Sequence, residues 1–242
     1  MAGLALLIFS SLSILSHSKK PLKLIVYAYS TQVELLSQGI FPDFEKYWES
    51  MHGRELTIEG VFGPSLTLAG EIILGAPADV AILSDEQHVN YLKLGKMVRE
   101  NNQPIVVSMT PMVIVTRPGN PAGINDFADL AMPGLRLIHP DPRSSGAGAW
   151  AILAEYGCSA SDTESEIDAA NTLAAIWDNV ILLAPSARAS LMLFELGAGD
   201  AYVTYEQDAR LTLARHVALS IVIPPCTVIA EPVAVIVDKN VT

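Results

Sequence analysis

The stretch PDPRSSGAGAW at positions 140–150 separates a strand-like run, Leu135–Ile138, from an apolar run with helical character that begins at Trp150. Serines and small residues between a strand and a helix leave the backbone N–H groups at the helix N-terminus uncovered. These donors, together with the helix dipole, can hold an anion. A serine here is equally typical of an ordinary helix N-cap, and the loop alone does not decide between the two interpretations. It lacks the lysine of a GxxxxGK[ST] loop, so it is not a nucleotide site of that kind.

The same order of strand, small or hydroxyl-bearing junction and helix occurs three more times. The junctions are Ser30 after the apolar run Leu22–Tyr29, Ser65 after Leu56–Phe62, and Pro185–Ser190 after Val180–Leu183. Alternating strands and helices predict an α/β fold with parallel sheets. Because ligands bind outside the carboxyl ends of the strands in such sheets, we expect the four junctions to converge on one cleft.

Three other segments carry expectations about the fold. The long apolar run Pro104–Thr116 is suited to carry the chain between two domains. A polar helix is expected over residues 86–99. The helix after the central loop is expected over Ala149–Tyr156, with the acidic segment Ser159–Glu166 as a surface excursion.

The composition excludes several classes of protein. A chain of 242 residues can form one large domain or two small ones, and its hydrophobic half provides a substantial core. The net charge of −11 argues against nucleic acid, because no basic stripe is available to neutralise phosphates. Two cysteines cannot form a four-ligand zinc site, and the histidines lack ligand spacing. The cysteines could pair in an oxidising compartment, but the sequence does not show it.

Residues 1–18 are interpreted as an export signal. The apolar run Leu4–Leu15 is short for a membrane span, and small residues at 16 and 18 suit cleavage before Lys19. A membrane anchor is the alternative. We therefore expect a periplasmic or secreted protein.

Neutral donors in the four junctions favour one kind of ligand. A tetrahedral oxyanion without a proton at neutral pH, such as sulfate, molybdate or tungstate, needs only donors. A protonated phosphate would need an acceptor in the site for its own O–H group. Peptide dipoles can spread the charge of the ion without a countercharge.

Five short motifs carry a resemblance to a known family. They are Arg117-Pro-Gly-Asn-Pro121, Pro142–Trp150, Ser186-Ala-Arg188, Gly199-Asp200 and Ala230-Glu-Pro232. With them the chain resembles the periplasmic sulfate-binding proteins of ABC importers from about residue 22 onward. It is secondarily similar to the molybdate-binding proteins.

The resemblance implies a two-lobed, type II binding-protein fold, with a mostly parallel sheet and flanking helices in each lobe. Lobe 1 would comprise 19–112 and 226–242, and lobe 2 would comprise 113–225. The family continues with further helices after its last motif, so we expect a fragment or a reduced first lobe. An oxyanion enclosed between the lobes would be delivered to an ABC permease by a monomer that needs no cofactor, metal or nucleic acid.

The resemblance also implies the ligand-binding residues Ser30, Ser65, Ser145, Gly146, Ala147, Ala187 and Tyr205. Ser30 stands where sulfate binders have aspartate, and Pro64 and Ala147 stand where they have glycine. Tyr205 replaces a tryptophan and looks more like the molybdate binders, which leaves the preferred anion open. Arg143 and Arg188 are expected to form salt bridges or to steer the anion. Trp150 is expected to pack within its helix.

Two alternatives differ in class from a binding protein. An enzyme could use Ser145 as its nucleophile, but the chain has no GxSxG elbow and none of the four junctions contains a histidine. A truncated or divergent relative could have a sensory or structural role. The sequence favours a non-enzymatic binding protein.

Overall fold

A computed structural model of the protein describes residues 20–163 and 165–241 and shows an α/β molecule with two mixed sheets. The segment interpreted as an export signal, 1–18, lies outside the described residues. Within the described ranges, no helix combines the length and the apolar character that crossing a membrane requires.

The regular elements alternate along the chain. The strands are β1 (Leu22–Tyr29), β2 (Leu56–Gly63), β3 (Val80–Leu83), β4 (Ile105–Val106), β5 (Thr110–Thr116), β6 (Leu137–Pro140), β7 (Val180–Ala184), β8 (Ala201–Tyr205), β9 (Ser220–Val222), β10 (Ile229–Ala230) and β11 (Val233–Ile236). The helices are α1 (Val33–Leu35), α2 (Phe41–His52), α3 (Ser65–Ile73), α4 (Glu86–Leu94), α5 (Gly146–Thr163), α6 (Glu166–Asp178), α7 (Ala187–Glu195) and α8 (Glu206–Ala214). Ser30–Gln32 and Ala128–Ala131 form 3-10 turns, and Leu36–Ile40 forms a π turn.

The first sheet has the strand order β2-β1-β3-β11-β4. Strand β1 lies parallel to both β2 and β3, whereas β11 runs antiparallel to its neighbours. The last four residues of β1, 26–29, are all buried, as expected for a central strand covered on both faces. One face packs against α3 and α4 through an apolar cluster that includes Leu68, Ile72 and Leu92.

The second sheet has the order β10-β5-β8-β6-β7, and β9 also pairs with β5. Strand β6 is parallel to β7 and β8. Strand β5 is antiparallel to β8, β9 and β10. An apolar cluster, the largest among residues 20–163 and 165–241, covers one face of this sheet and includes Ile114, Leu137 and Val203.

The chain crosses between the sheets twice, from β4 to β5 and from β10 to β11. The run Pro104–Thr116 therefore carries the chain from one sheet to the other, as predicted. Both crossings lie close to the predicted lobe boundaries at 112/113 and 225/226, and the division into lobes at those positions stays a prediction.

The structure corrects three details of the sheets and helices, of which the direction of the strands and the end of α4 are the smaller two. The two-lobed α/β prediction is confirmed, but only three strands of each sheet form parallel pairs, because the strands that carry the chain between the sheets return in the opposite direction. Helix α4 ends before Gly95 rather than near residue 99, since Lys96 adopts a left-handed backbone conformation (φ 58°).

Helix α5 is the larger correction, because it continues to Thr163 through most of the expected surface excursion. Its buried residues Ala147, Ala151, Ala154 and Cys158 recur at helical spacing and belong to one apolar cluster. Near its end, Ser161 and Asp162 are exposed to solvent, whereas Ser159 is buried. Cys158 forms a disulfide with Cys226, with the Cα atoms 5.6 Å apart, and this pairing settles the open question about the two thiols.

Candidate functional site

A small pocket lies between the two sheets, at the carboxyl ends of β1, β2, β3 and β6. All seven residues that the family resemblance implied lie in its lining. The lining consists of Tyr29, Ser30, Thr31, Gly63, Pro64, Ser65, Ser84, Ser145, Gly146, Ala147, Ala187 and Tyr205. None of these side chains carries a charge.

Helices begin at the pocket from several directions. Helix α3 begins at Ser65, α5 at Gly146, α7 at Ala187 and α8 immediately after Tyr205. The first N–H groups of a helix have no partner within the helix, and the dipole adds partial positive charge at that end. The convergence therefore surrounds the pocket with backbone donors.

The central loop is wound around Asp141. The Asp141 carbonyl accepts from the N–H groups of Ser144 (3.1 Å) and Ser145 (2.8 Å), and its carboxylate accepts from the N–H of Arg143 (2.9 Å). The Ser145 carbonyl accepts from Gly148 N–H at 3.0 Å and so begins the first turn of α5. This winding presents Ser145, Gly146 and Ala147 together at the pocket.

Two glycines make this loop sterically possible. A Cβ atom at Gly146 would collide with the side chain of Ser84 from the first sheet. A Cβ atom at Gly148 would collide with the carbonyl oxygen of Pro140. The close approach of the two lobes at the pocket thus requires Gly146, and the tight loop requires Gly148.

Ser65 occupies the first turn of α3 without acting as its N-cap. The N-cap position is Pro64, which makes no side-chain capping bond. The Ser65 hydroxyl oxygen instead accepts from the N–H of Ser84 at 3.1 Å. Its own proton remains available for an acceptor in the pocket.

Ser145 directly precedes α5 and is buried (4% exposed). Its carbonyl oxygen accepts from the N–H groups of Gly148 and Ala149, so its backbone begins the helix. The ordinary-cap interpretation therefore fails on geometry for Ser65, whereas Ser145 does occupy the position of an N-cap residue.

Tyr205 contributes a buried polar atom that lacks a partner. Its side chain is 1% exposed, and its ring meets that of Tyr29 edge-on with 6.1 Å between the centroids. The Ser84 hydroxyl lies close by, but within the described chain the Tyr205 hydroxyl completes no hydrogen bond. Burial, and less strongly Tyr29, raises the pKa of Tyr205 well above its ordinary value, so the hydroxyl stays protonated and can donate.

The two arginines near the pocket are engaged elsewhere. Arg143 pairs with Asp141 (Nη2–Oδ2 2.9 Å) and is largely exposed. Arg188 pairs with Glu34 through both of its terminal nitrogens, at 2.6 and 2.8 Å. The prediction that they form salt bridges is confirmed.

Sequence reasoning missed Ser84, Tyr29, Thr31 and Gly63. Ser84 directly follows β3 and is 1% exposed, so it continues the pattern of a hydroxyl after a strand that singled out Ser30 and Ser65. The rule that found the other junctions would have found Ser84 as well. The described residues contain no group of three or more His, Cys, Asp or Glu side chains placed to hold a metal ion.

Comparison with known proteins agrees with this geometry. The sulfate-binding protein SubI from Mycobacterium tuberculosis superimposes with a TM-score of 0.83 at 26% identity, over 91% of this chain and 77% of that one. The periplasmic molybdate-binding protein of Azotobacter vinelandii shares the fold, with a TM-score of 0.62 at 19% identity over 90% and 87% of the two chains. Fold and pocket thus define a two-lobed, type II solute-binding protein.

Sequence comparison identifies the family. The sequence profile of the bacterial extracellular solute-binding proteins matches residues 24–240. The sulfate-binding protein of Escherichia coli is 31% identical over 92% of this chain and 70% of its own length. That of Synechococcus elongatus is 29% identical over 93% and 67%. The chain belongs to the bacterial extracellular solute-binding protein family, whose matched members are named for binding and not for catalysis.

Proposed function

We propose that the protein captures a fully ionised tetrahedral oxyanion, sulfate or molybdate in class, between its lobes and delivers it to an ABC-type permease. The observation that carries the proposal is the unpartnered, buried hydroxyl of Tyr205 in a pocket lined only by neutral groups. A buried donor without a partner costs roughly 1–3 kcal/mol, and an anion in the pocket would satisfy it.

The donors would act as a set. Hydroxyl groups of Ser65, Ser145 and Tyr205 and backbone N–H groups of Gly146, Ala147 and Ala187 can all donate to the same ion. Ser30, at the start of the turn after β1, completes the lining on the first sheet. Helix dipoles would stabilise the charge of the ion without a countercharge in contact with it.

The relatives support this ligand class. Matched proteins from Synechococcus elongatus and Escherichia coli are named sulfate-binding, and one from Pseudomonas aeruginosa, 30% identical over 83% of this chain and 63% of its own length, is named thiosulfate-binding. The chain spans about two thirds of the length of such relatives, so delivery to a permease, action as a monomer and export through residues 1–18 belong to this proposal.

Calorimetry with sulfate, thiosulfate, molybdate, tungstate and phosphate tests the proposal. We expect binding of at least one unprotonated anion, with phosphate at least about ten-fold weaker because its O–H would lack an acceptor. Equal affinity for phosphate would overturn a site made of donors.

Because of Tyr205, molybdate or tungstate is a second candidate ligand beside sulfate. A phenolic hydroxyl reaches differently from an indole N–H and suits a larger ion, so we expect molybdate to bind at least as well as sulfate. Competition titrations should show that Tyr205→Trp moves the preference toward sulfate. The same preference in both proteins would remove the argument for molybdate.

Catalysis by Ser84, a pocket serine with a histidine close by, has a specific geometric objection. Ser84 lies 3.5 Å from His88 Nδ1, and Asp85 lies 2.9 Å from the same nitrogen. A catalytic triad needs the serine and the carboxylate on opposite ring nitrogens, so this group cannot relay a proton from Ser84. We therefore retain a binding function rather than an enzymatic one.

A further inference from the structure

Several contacts join the two lobes around the pocket. The indole N–H of Trp150 in α5 donates to the carbonyl oxygen of Ser84, which follows β3, at 2.9 Å. The N–H of Leu66 in α3 donates to the carbonyl oxygen of Ser144 at 3.1 Å. The structure therefore shows the lobes in a closed arrangement, with hydrogen bonds across the cleft on the side of the central loop.

Ser84 connects this closure to the ligand site. Its carbonyl accepts from Trp150, and its N–H donates to the Ser65 hydroxyl oxygen at 3.1 Å. Its side chain lines the pocket and lies against Gly146. Ser84 thus links the Trp150 indole of the second lobe to the Ser65 hydroxyl, which faces the pocket from the first lobe.

Trp150 differs from the other two tryptophans in the use of its indole N–H. The Nε1 atoms of Trp48 and Trp177 are buried and have no hydrogen-bond partner within the described chain. Of the three tryptophans, Trp150 alone has an indole N–H that donates across the cleft within the described chain. Packing in the helix, which the sequence suggested for Trp150, does not account for an N–H aimed at the opposite lobe.

We propose that Trp150 is a positioning residue for ligand capture, whose indole N–H fastens the closed lobes by binding the Ser84 carbonyl and so holds the Ser65 hydroxyl toward the ligand. The proposal rests on the proposed anion-binding function. The Trp150 contact exists only when the lobes meet, so it stabilises the closed complex and not the open protein. Its loss should therefore act on ligand release rather than on ligand entry.

The test compares Trp150→Phe with Trp177→Phe as a matched control that removes an unpartnered indole from the same lobe. Stopped-flow measurements with sulfate and with molybdate give association and dissociation rates for the full chain. We expect Trp150→Phe to dissociate roughly three- to ten-fold faster than Trp177→Phe, the range expected for one neutral hydrogen bond. Its association rate should match that of the control. Equal dissociation rates in the two variants overturn the proposal.

Tryptophan fluorescence gives an independent readout. Saturating sulfate or molybdate should shift the emission of the wild-type protein through Trp150, the indole at the closing cleft. The shift should persist in Trp48→Phe and Trp177→Phe and vanish in Trp150→Phe. A shift that survives in Trp150→Phe contradicts the assignment.

A second variant separates the N–H from the shape of the ring. Benzothienylalanine, in which sulfur replaces the indole N–H, can be incorporated at all three tryptophans. Only Trp150 then loses a hydrogen bond within the described chain, so faster release is expected without a change in fold. Unchanged release refutes the role of the N–H, whereas failure of the wild-type protein to bind any tested anion refutes the proposed function itself.

Discussion

The two sides of the Ser30–Thr31 junction differ in charge. The side that faces the pocket meets only uncharged residues. The opposite side is lined by Glu34, Arg188, Arg215 and the buried carboxyl of Asp208, and Thr31 and Ala187 border both sides. Charged side chains therefore lie next to the pocket, but none belongs to its lining.

The charged side holds the lobes together. Glu34 in α1 binds Arg188 in α7, and Arg215 lies 3.7 Å from the same carboxylate. The Arg188 hydrogen bond lowers the pKa of Glu34, so the pair stays ionised at neutral pH. The contrast shows a division of roles, in which ion pairs join the lobes and neutral donors are left for the anion.

The largest expected effect comes from adding a side-chain atom at Gly146, on the neutral side, where the two lobes approach each other. In Gly146→Ala the new Cβ meets the Ser84 side chain and keeps the lobes apart. Because separated lobes lose one or two hydrogen bonds to the charged ligand, at about 1.5–3 kcal/mol each, we expect calorimetry to show affinity lowered by about a hundred-fold or more. The atoms nearest to that Cβ belong to Ser84 and His88, so α5 itself should fold normally.

Gly157→Ala is the matched control for this change. Gly157 lies in the same helix, and a Cβ there meets no atom within 4 Å. We expect unchanged affinity and a stability gain of roughly 0.5–1 kcal/mol from helix propensity. Normal binding by Gly146→Ala would show that the ligand does not require the closed arrangement.

The next effect tests the unpartnered donor. Tyr205→Phe should weaken binding of every anion roughly ten- to hundred-fold, as expected for a hydrogen bond to a charged group. Thermal stability should stay level or rise, because the lost hydroxyl is buried without a partner in the described chain. Tyr202→Phe, on the other face of β8, should leave affinity intact. A silent Tyr205→Phe would mean that this hydroxyl does not reach the ligand.

A smaller effect concerns Asp208 on the charged side. The pKa of Asp208 is raised from 3.8 to about 7, chiefly by burial and less by Glu34, while Thr31 and Arg188 oppose the rise. Its Oδ2 atom and the Thr31 hydroxyl each lack a completed hydrogen bond in the described chain. The carboxyl is neutral below pH 7 and becomes charged above it, so anion affinity should fall as the pH rises through 7.

The sign for stability follows from the same raised pKa. The native state binds the Asp208 proton more tightly than the unfolded chain does, so its contribution is complete below about pH 3.8 and is lost as the pH rises to about 7. Asp208→Asn should flatten both dependences, checked by urea unfolding and by calorimetry between pH 4.5 and 8.5. Parallel pH profiles in the variant and the wild type would contradict this role.

The smallest effect is expected for Arg143, which lies near the pocket and outside its lining. Arg143→Ala removes an exposed pair with Asp141, and solvent screens such a pair so strongly that it stabilises little. Affinity should change only a few-fold and mainly in its salt dependence. Ser145→Ala, two residues away, should cost about 1.5–3 kcal/mol. A reversed order in calorimetry would show that the anion is held by charge.

Much of the fold was predictable because local patterns and packing agree. Continuous apolar runs marked β1 and β2, and the junctions after them marked Ser30 and Ser65. The length of α5 was not predicted, although its apolar spacing through Cys158 carried the signal. The acidic residues near its end masked that signal, because polarity alone does not distinguish a loop from the exposed face of a helix.

The sequence by itself determined the α/β class, the four junctions and the neutral character of their side chains, because strand and helix periodicity and residue chemistry are local properties. Only the tertiary structure decided that Cys158 meets Cys226 and that Trp150 reaches across the cleft to Ser84. These contacts join residues 66 to 68 positions apart. No local pattern encodes such contacts, since they depend on how the helices and the two sheets pack against one another.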